Sequence, residues 1–337
     1  MIAYYDSLIA SNIVMPKVSI ITTSYKHQDF IAQTIESILW QTRSDRELLI
    51  GDDSPDDATR NIIQNYVQKY PEKIKARHHS PNKGIVDNTT FLLSQVSSAS
   101  EYIAFLEWDD LYIKNNLEQK LKIFATYPDL AIVYSDLSFI DKHNTILLES
   151  FFAYRNIRIY QNTKIPVDAF ILAGAGPIAS WSTGMFRKSI LSQYAITSLN
   201  PENKTYSVSD YDIYFQIATT HSVYGIKDPL TQYRRHSNNL SGASGGTSSD
   251  LALLIEQYYA QGKIDKNLYN KKMSRISIVY AIFDLEHQAY KKARSHRAQS
   301  ISYNIFVFPF RKIAILWLLF LPIQRSSNIV KHFIKRG

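Results

Sequence analysis

Residues 17–54 read KVSIITTSYKHQDFIAQTIESILWQTRSDRELLIGDDS. Val18 to Thr22 is a short apolar, β-rich run; Phe30 to Trp40 is longer, with apolar positions at helical spacing; Glu47 to Ile50 is again short and apolar. Strand, helix, strand in so few residues predicts a βαβ unit, whose two strands lie parallel because the helix carries the chain back to the starting edge. The same rhythm continues with a helix over Thr59 to Tyr70, a strand over Ile74 to His78 and a helix over Val86 to Val96. Tyr102 to Leu106, Leu117 to Tyr127 and Ala131 to Tyr134 complete it. The expected fold class is α/β: a Rossmann-like, mostly parallel sheet with helices on both faces. In such sheets ligands bind at the carboxyl ends of the strands, so the residues just after each strand carry the functional reading.

Downstream the pattern loosens between Phe151 and Pro177, then resumes in shorter segments around Ser180 to Phe186, Tyr211 to Ala218 and Tyr224 to Tyr233. The stretch SGASGGTSSD, Ser241 to Asp250, is small, polar and glycine-rich, and reads as a linker or mobile loop. Beyond it Leu254, Ile255, Tyr258 and Tyr259, then Ile276, Val279, Tyr280 and Phe283, recur at helical spacing. The expected organisation is a catalytic domain over 13–239, a linker over 240–250, a helical extension over 251–299 and a tail over 300–337.

Charge is distributed unevenly. The 337 residues carry a formal +8, yet after Glu286 there is no acidic residue and ten Lys and Arg, so subtracting that tail leaves the first 286 residues near −2. A near-neutral body argues against a nucleic-acid-binding core. The tail also contains IFVFPFRKIAILWLLFLPI, Ile305 to Ile323, whose apolar run is broken by Pro309, Arg311 and Lys312. The unbroken part falls far short of the roughly 20 residues of a spanning helix. With its basic flanks it is expected to lie against an anionic membrane surface, a buried core helix being the alternative. Met1 to Pro16 lacks the basic and apolar regions of a secretory signal, so the expected location is cytoplasmic, peripheral to the inner face of the cell membrane. The absence of cysteine excludes disulfides, thiolate metal sites and a cysteine nucleophile.

Three strand ends carry acidic or hydroxyl residues, and a fourth carries a lysine beside a turn. The first delivers Thr22-Thr23-Ser24-Tyr25, hydroxyls and a ring suited to a nucleoside or to capping the next helix. The second delivers Gly51-Asp52-Asp53-Ser54-Pro55-Asp56-Asp57; Asp56 or Asp57 is expected to cap a helix, whereas Asp53 can accept hydrogen bonds from a base or ribose. After the third strand, Asn82 and Gly84 suit a tight turn, and Lys83 beside them can meet a phosphate. The fourth strand delivers Glu107-Trp108-Asp109-Asp110. Adjacent carboxylates at a buried strand end repel unless a cation neutralises them, and hard oxygen ligands favour Mg²⁺ or Mn²⁺.

The ordered set Lys17 to Tyr25, Gly51-Asp52-Asp53-Ser54, Asn82-Lys83-Gly84 and Glu107-Trp108-Asp109-Asp110 resembles family 2 inverting glycosyltransferases of the GT-A fold, over roughly residues 16 to 238. That resemblance implies transfer of a sugar from a nucleotide-diphosphate donor, a UDP-sugar being expected, to a saccharide or lipid-linked saccharide acceptor in bacterial surface polysaccharide or glycolipid synthesis. It implies that Thr23, Tyr25 and Asp53 contact the nucleoside, that Asp109 lies near ribose and metal, and that Asp110 is the foremost metal ligand. The family's Asp-x-Asp-Asp is here Glu107-x-Asp109-Asp110. Ser209-Asp210-Tyr211 looks like its Glu-Asp-Tyr segment, which makes Asp210 the expected catalytic base; a first-turn helix acid is the bland reading. Tyr233-Arg234-Arg235-His236 looks like its Tyr-Arg-x-His stretch, with His236 expected near the metal and one arginine near the diphosphate. A sugar-nucleotide pyrophosphorylase would need a glycine-rich phosphate loop after the first strand, and Thr22 to Gln28 has no glycine. A catalytically silent membrane-bound binder of nucleotide or saccharide is the remaining alternative.

Overall fold

The structure, a computed structural model, describes residues 17–173, 176–197, 208–236, 239, 246–286 and 290–303. The expectations for residues 13–16, for Ser241 to Gly245 and for most of the tail, 304–337, lie outside the described residues. Two compact units divide after Asn239.

In the first unit, β1 (Val18–Ser24), β2 (Arg46–Asp52), β3 (Ile74–His78) and β4 (Tyr102–Phe105) run parallel in the order β3-β2-β1-β4. The chain moves outward from β1 to β3 and then returns to the other side of β1, so the sheet's switch point lies between β1 and β4. In sheets of this kind the connecting loops diverge at such a point and leave a crevice at the carboxyl ends. Helices α1 (Ile31–Leu39), α2 (Asp57–Lys69) and α3 (Ile85–Ser94) make the crossovers, and α4 (Asn116–Thr126) follows the short β5 (Leu111–Tyr112).

Alternation along the strands builds two cores. Val18, Ile20, Leu48, Ile50, Tyr102 and Ala104 face one side and join Ile31, Ile35 and Ile38 of α1, Ile63 of α2, and Leu117, Leu121 and Phe124 of α4 in one cluster. Burying the three isoleucines of α1 contributes about 1.5–3 kcal/mol each. On the other side Phe105, Phe186, Trp181 and Tyr214 form a ring-to-ring core.

The sheet continues with β6 (Ile132–Ile140), β7 (Ile146–Leu148), β8 (Gln161–Thr163), β9 (Gly184–Arg187) and β10 (Val223–Arg234). β9 inserts antiparallel between β4 and β6, and β10 pairs parallel with β6 and antiparallel with β5. Short helices α5 (Phe151–Arg155), α6 (Val167–Leu172) and α7 (Lys188–Leu191) and a 3-10 turn, Trp181–Thr183, link these strands; α8 (Ser209–Ala218) precedes β10. The architecture is mixed α/β with a mostly parallel sheet, as expected, in which β5, β7, β8 and β9 pair antiparallel with their neighbours.

The second unit contains α9 (Gly246–Ala260), α10 (Lys266–Glu286) and α11 (Tyr290–Tyr303). α9 begins inside the stretch read as linker, so residues 246–250 are helical; of its apolar residues Leu254, Ile255 and Tyr258 are buried while Tyr259 stacks on Tyr269. Ser274 and Ser300 exchange hydroxyl hydrogen bonds, and His296 meets Asp284 at 2.7 Å, which fastens α10 to α11. Among the described residues no helix is long and apolar enough to cross a membrane.

Candidate active site

The carboxyl ends of β1, β2 and β3 are tied by paired residues. Ser24 stands opposite Asp52, and Asp52 opposite His78. Asp52 is a structural acid: its Oδ1 accepts the Ser54 hydroxyl at 2.6 Å, and its Oδ2 meets His78 Nδ1 at 3.1 Å. Ser54 Oγ in turn accepts the Lys26 N–H at 2.8 Å, which fixes the loop after β1 where Lys26 takes a left-handed φ of 61°. Tyr25, expected at the nucleoside, stands in the open at that edge, and Thr23 is half-buried beside it.

Asp53 turns toward the next loop. Its two oxygens accept the backbone N–H groups of Lys83 at 3.2 Å and Gly84 at 3.0 Å, while Asn82 Oδ1 also reaches the Gly84 N–H at 2.6 Å. Gly84 adopts φ 82°, a conformation open to glycine. Burial raises the Asp53 carboxyl above its ordinary range, against the pull of these donors. Lys83 reaches Asp53 through its backbone, and the residue lies exposed at the mouth. Gly51 is needed for close packing, since a Cβ there would sit 1.8 Å from Asn88 Oδ1.

The acidic loop after β4 is held by residues distant in sequence. Thr22 Oγ1 donates to the Leu106 carbonyl at 2.8 Å, Thr34 Oγ1 to those of Trp108 and Asp110, and the Glu107 N–H donates to Ser182 Oγ at 3.0 Å. Asp109 Oδ2 lies 2.9 Å from His236 Nε2 and accepts the Asn239 amide at 3.1 Å. The His27 ring lies parallel to Trp108, and Phe30, Trp108 and His236 pack ring against ring, so this corner is aromatic as well as acidic.

Asp110, expected as the foremost metal ligand, is enclosed by protein groups. It has no exposed surface, its Oδ1 accepts the Arg234 N–H at 3.0 Å and its Oδ2 the Ser182 hydroxyl at 2.6 Å. Burial and the neighbouring Asp109 and Glu107 charges raise its carboxyl well above the ordinary range. So enclosed, the side chain ties the loop after β4 to β10. Arg234 also turns inward. Its Nε donates to the Asp109 carbonyl at 2.8 Å, its Nη1 to the Asp141 carbonyl and Asn144, and its Nη2 to Gln33. Of Arg234 and Arg235, one of which was expected near a diphosphate, Arg235 is the exposed one.

Asp210 sits in the first turn of α8, its Oδ1 accepting the Tyr211 N–H at 2.7 Å. Burial pushes its carboxyl up to about 6. Its charge, with that of Asp109 and with burial as the largest cause, pushes Glu107 up to about 8. Thus Glu107, Asp109 and Asp210 form one electrostatic cluster, and a cation entering it would relieve repulsion. The short turn Ser180–Thr183 organises the cluster: Ser180 Oγ donates to Glu107, Ser182 serves Glu107 and Asp110, and the Tyr214 hydroxyl of α8 donates to the Ser180 carbonyl at 3.1 Å. Sequence reading missed this turn; its only signal is the run of hydroxyl residues before β9.

Residues 19–195 match the family model described as Glycosyl transferase family 2. The chain belongs to that family. Among curated proteins, this glycosyltransferase is 26% identical over 243 residues to the putative glycosyltransferase EpsE of Bacillus subtilis, covering 72% of this chain and 81% of that one. It is 30% identical over 129 residues to the Escherichia coli UDP-Glc:alpha-D-GlcNAc-diphosphoundecaprenol beta-1,3-glucosyltransferase WfgD, covering 38% of this chain and about half, 49%, of that protein. Among solved structures, Staphylococcus aureus TarS 1-349 in complex with UDP-GlcNAc superposes with a TM-score of 0.56 at 14% identity, covering 85% of this chain and 91% of that one. Such a likeness shows the GT-A fold of the family 2 enzyme. Asp210 and His236 lie beyond the matched residues 19–195.

Proposed function

We propose that this glycosyltransferase uses a UDP-sugar and inverts the anomeric centre in a single displacement, with Asp210 as general base. The observation that carries the reading is the cluster of Glu107, Asp109 and Asp210 at the switch point, where Asp210 keeps a raised but accessible proton affinity of about 6. An acceptor hydroxyl is a weak nucleophile until its proton is taken in the transition state. The Asp210 carboxylate receives that proton as the acceptor oxygen bonds to the anomeric carbon; the carbon–oxygen bond to the nucleoside diphosphate breaks on the opposite face and its electron pair leaves with the diphosphate. Thr23, Tyr25 and Asp53 hold the nucleoside, and Lys83 and Arg235 meet the diphosphate.

The donor set fits a divalent ion, Mg²⁺ or Mn²⁺. Asp109 and His236 converge within 2.9 Å, and ions of this kind are commonly held by one or two protein ligands with phosphate oxygens and water completing the shell. No group of three or more His, Asp or Glu side chains among the described residues is arranged around one metal position. Such an ion, when bound, would neutralise the charge that develops on the leaving diphosphate. Asp110 and Arg234 act behind it by fixing the loop.

The acceptor we assign is a saccharide or lipid-linked saccharide of the bacterial surface, supported by the diphosphoundecaprenol acceptor named for WfgD. Work at the inner face of the cell membrane follows, with the basic segment after residue 304 against anionic lipid. Proton NMR of the product reads the stereochemistry: inversion of the anomeric configuration is expected, and retention overturns the single displacement. Asp210→Asn should keep UDP binding and lose transfer; a variant that transfers normally overturns the base assignment.

A further inference from the structure

The outer side of α1 carries a feature unused by the catalytic reading. Trp40, at the carboxyl end of the helix, is 68% exposed, the most exposed of the large apolar side chains described. A solvated indole loses about the hydrophobic contribution of a full side chain, so its placement invites a ligand that covers it. Two cavities open on either side of it, of about 470 Å³ and about 580 Å³, and both are lined by Glu36 and Trp40.

The polar groups around the indole are amides, lysines and one carboxylate. In the larger cavity Asn65, Lys69 and Lys73 accompany Glu36, whose Oε1 accepts the Tyr66 hydroxyl at 2.7 Å. In the smaller one the wall is Gln33, Lys114, Asn144 and Gln232. Amides and a tethered carboxylate around a flat aromatic face suit the alternating hydroxyls and C–H faces of sugar rings, since few convergent polar groups fix orientation while the ring supplies area. Three exposed lysines against one carboxylate add a preference for anionic groups.

We infer that the paired cavities around Trp40 form a second saccharide-binding site, remote from the reacting centre, that takes an oligosaccharide bearing carboxylates. The site is joined to the catalytic loop through the structure already described: Gln33 and Asn144, in the cavity wall, hold the guanidinium of Arg234, which holds the Asp109 carbonyl. Thr34 of the same helix holds the Trp108 and Asp110 carbonyls. A growing acidic glycan gripped here would keep its end near an enzyme that extends it, and to this extent the inference rests on the transferase reading.

The test uses the full chain titrated with hyaluronan tetrasaccharide and, separately, with neutral chitotetraose, read by tryptophan fluorescence and ligand-observed NMR, with UDP binding measured in parallel. Expected are binding of the acidic tetrasaccharide, loss of about tenfold or more in affinity in Trp40→Ala, and near-normal binding in Trp40→Phe. The double variant Lys69→Ser, Lys73→Ser should remove the preference for the acidic over the neutral sugar. UDP affinity should be unchanged in all three. No binding of either tetrasaccharide, or binding indifferent to Trp40→Ala, overturns the inference; failure of UDP to bind the unmodified protein would instead strike the donor reading and leave the saccharide titration to be judged by itself.

Discussion

Replacing Arg234 with methionine removes the buried cation that holds the acidic loop while keeping much of the side-chain volume. Four acceptors lose their donor at once: the Asp109 and Asp141 carbonyls, Asn144 Oδ1 and Gln33 Oε1. The guanidinium also lies over the Phe30 ring, 4.8 Å from its centroid. Arg234 has no exposed surface, so water does not simply replace these bonds. Removing one partner of a buried, hydrogen-bonded charge network costs about 3–5 kcal/mol. For a domain of this size each kcal/mol moves the midpoint by about 2–4 °C, so a fall of roughly 6–20 °C in Tm is expected by scanning calorimetry. Arg234→Lys keeps the charge but cannot span carbonyls in three directions, and should fall between the two. Loss of the cation further raises the Asp109 and Asp110 carboxyls, so metal-assisted UDP binding should weaken beyond the change in stability. A loss below about 1 kcal/mol in the methionine variant would refute the claim that this arginine organises the loop.

Two other perturbations follow from the same geometry. Transfer by the unmodified enzyme should fall as pH drops through about 6, where Asp210 takes up a proton and ceases to act as base, and Asp210→Asn should lower turnover by roughly 10²–10⁴-fold. Because burial raises this carboxyl, its ionised form is disfavoured in the folded state, so the same asparagine should raise Tm at neutral pH; a lowered Tm with full activity would contradict both statements. Gly184→Ala places a Cβ 2.1 Å from the Tyr214 hydroxyl, and by displacing α8 from the Ser180 turn should cost about 1–3 kcal/mol in chemical denaturation, an unchanged midpoint refuting that packing.

The parallel part of the sheet was legible because each strand there is a local apolar run followed by a crossover helix. Asp53, Asp109 and Asp210 stood out as candidates because strand ends and first turns are local features as well. The roles within Glu107-Trp108-Asp109-Asp110 were not legible. Which carboxyl faces the crevice and which is enclosed depends on Ser182 and Arg234, 72 and 124 residues away from Asp110. β9 falls in the segment read around Ser180 to Phe186, but its antiparallel place between β4 and β6 was not legible, since it is fixed by partners far along the chain. The glycine-rich run misled in the opposite direction: composition pointed to a linker, but residues 246–250 are the start of α9.

The central claim is that the crevice binds a nucleoside diphosphate through Asp53 and a metal held at Asp109. Calorimetric titration of the purified protein with UDP, GDP, CDP and dTDP, each with and without Mn²⁺, tests it most directly. The account predicts metal-dependent binding of UDP, weakened in Asp53→Ala and abolished in Asp109→Ala with the fold intact; silence toward all four nucleotides in a folded protein, or UDP binding indifferent to Mn²⁺ and to both substitutions, would contradict it.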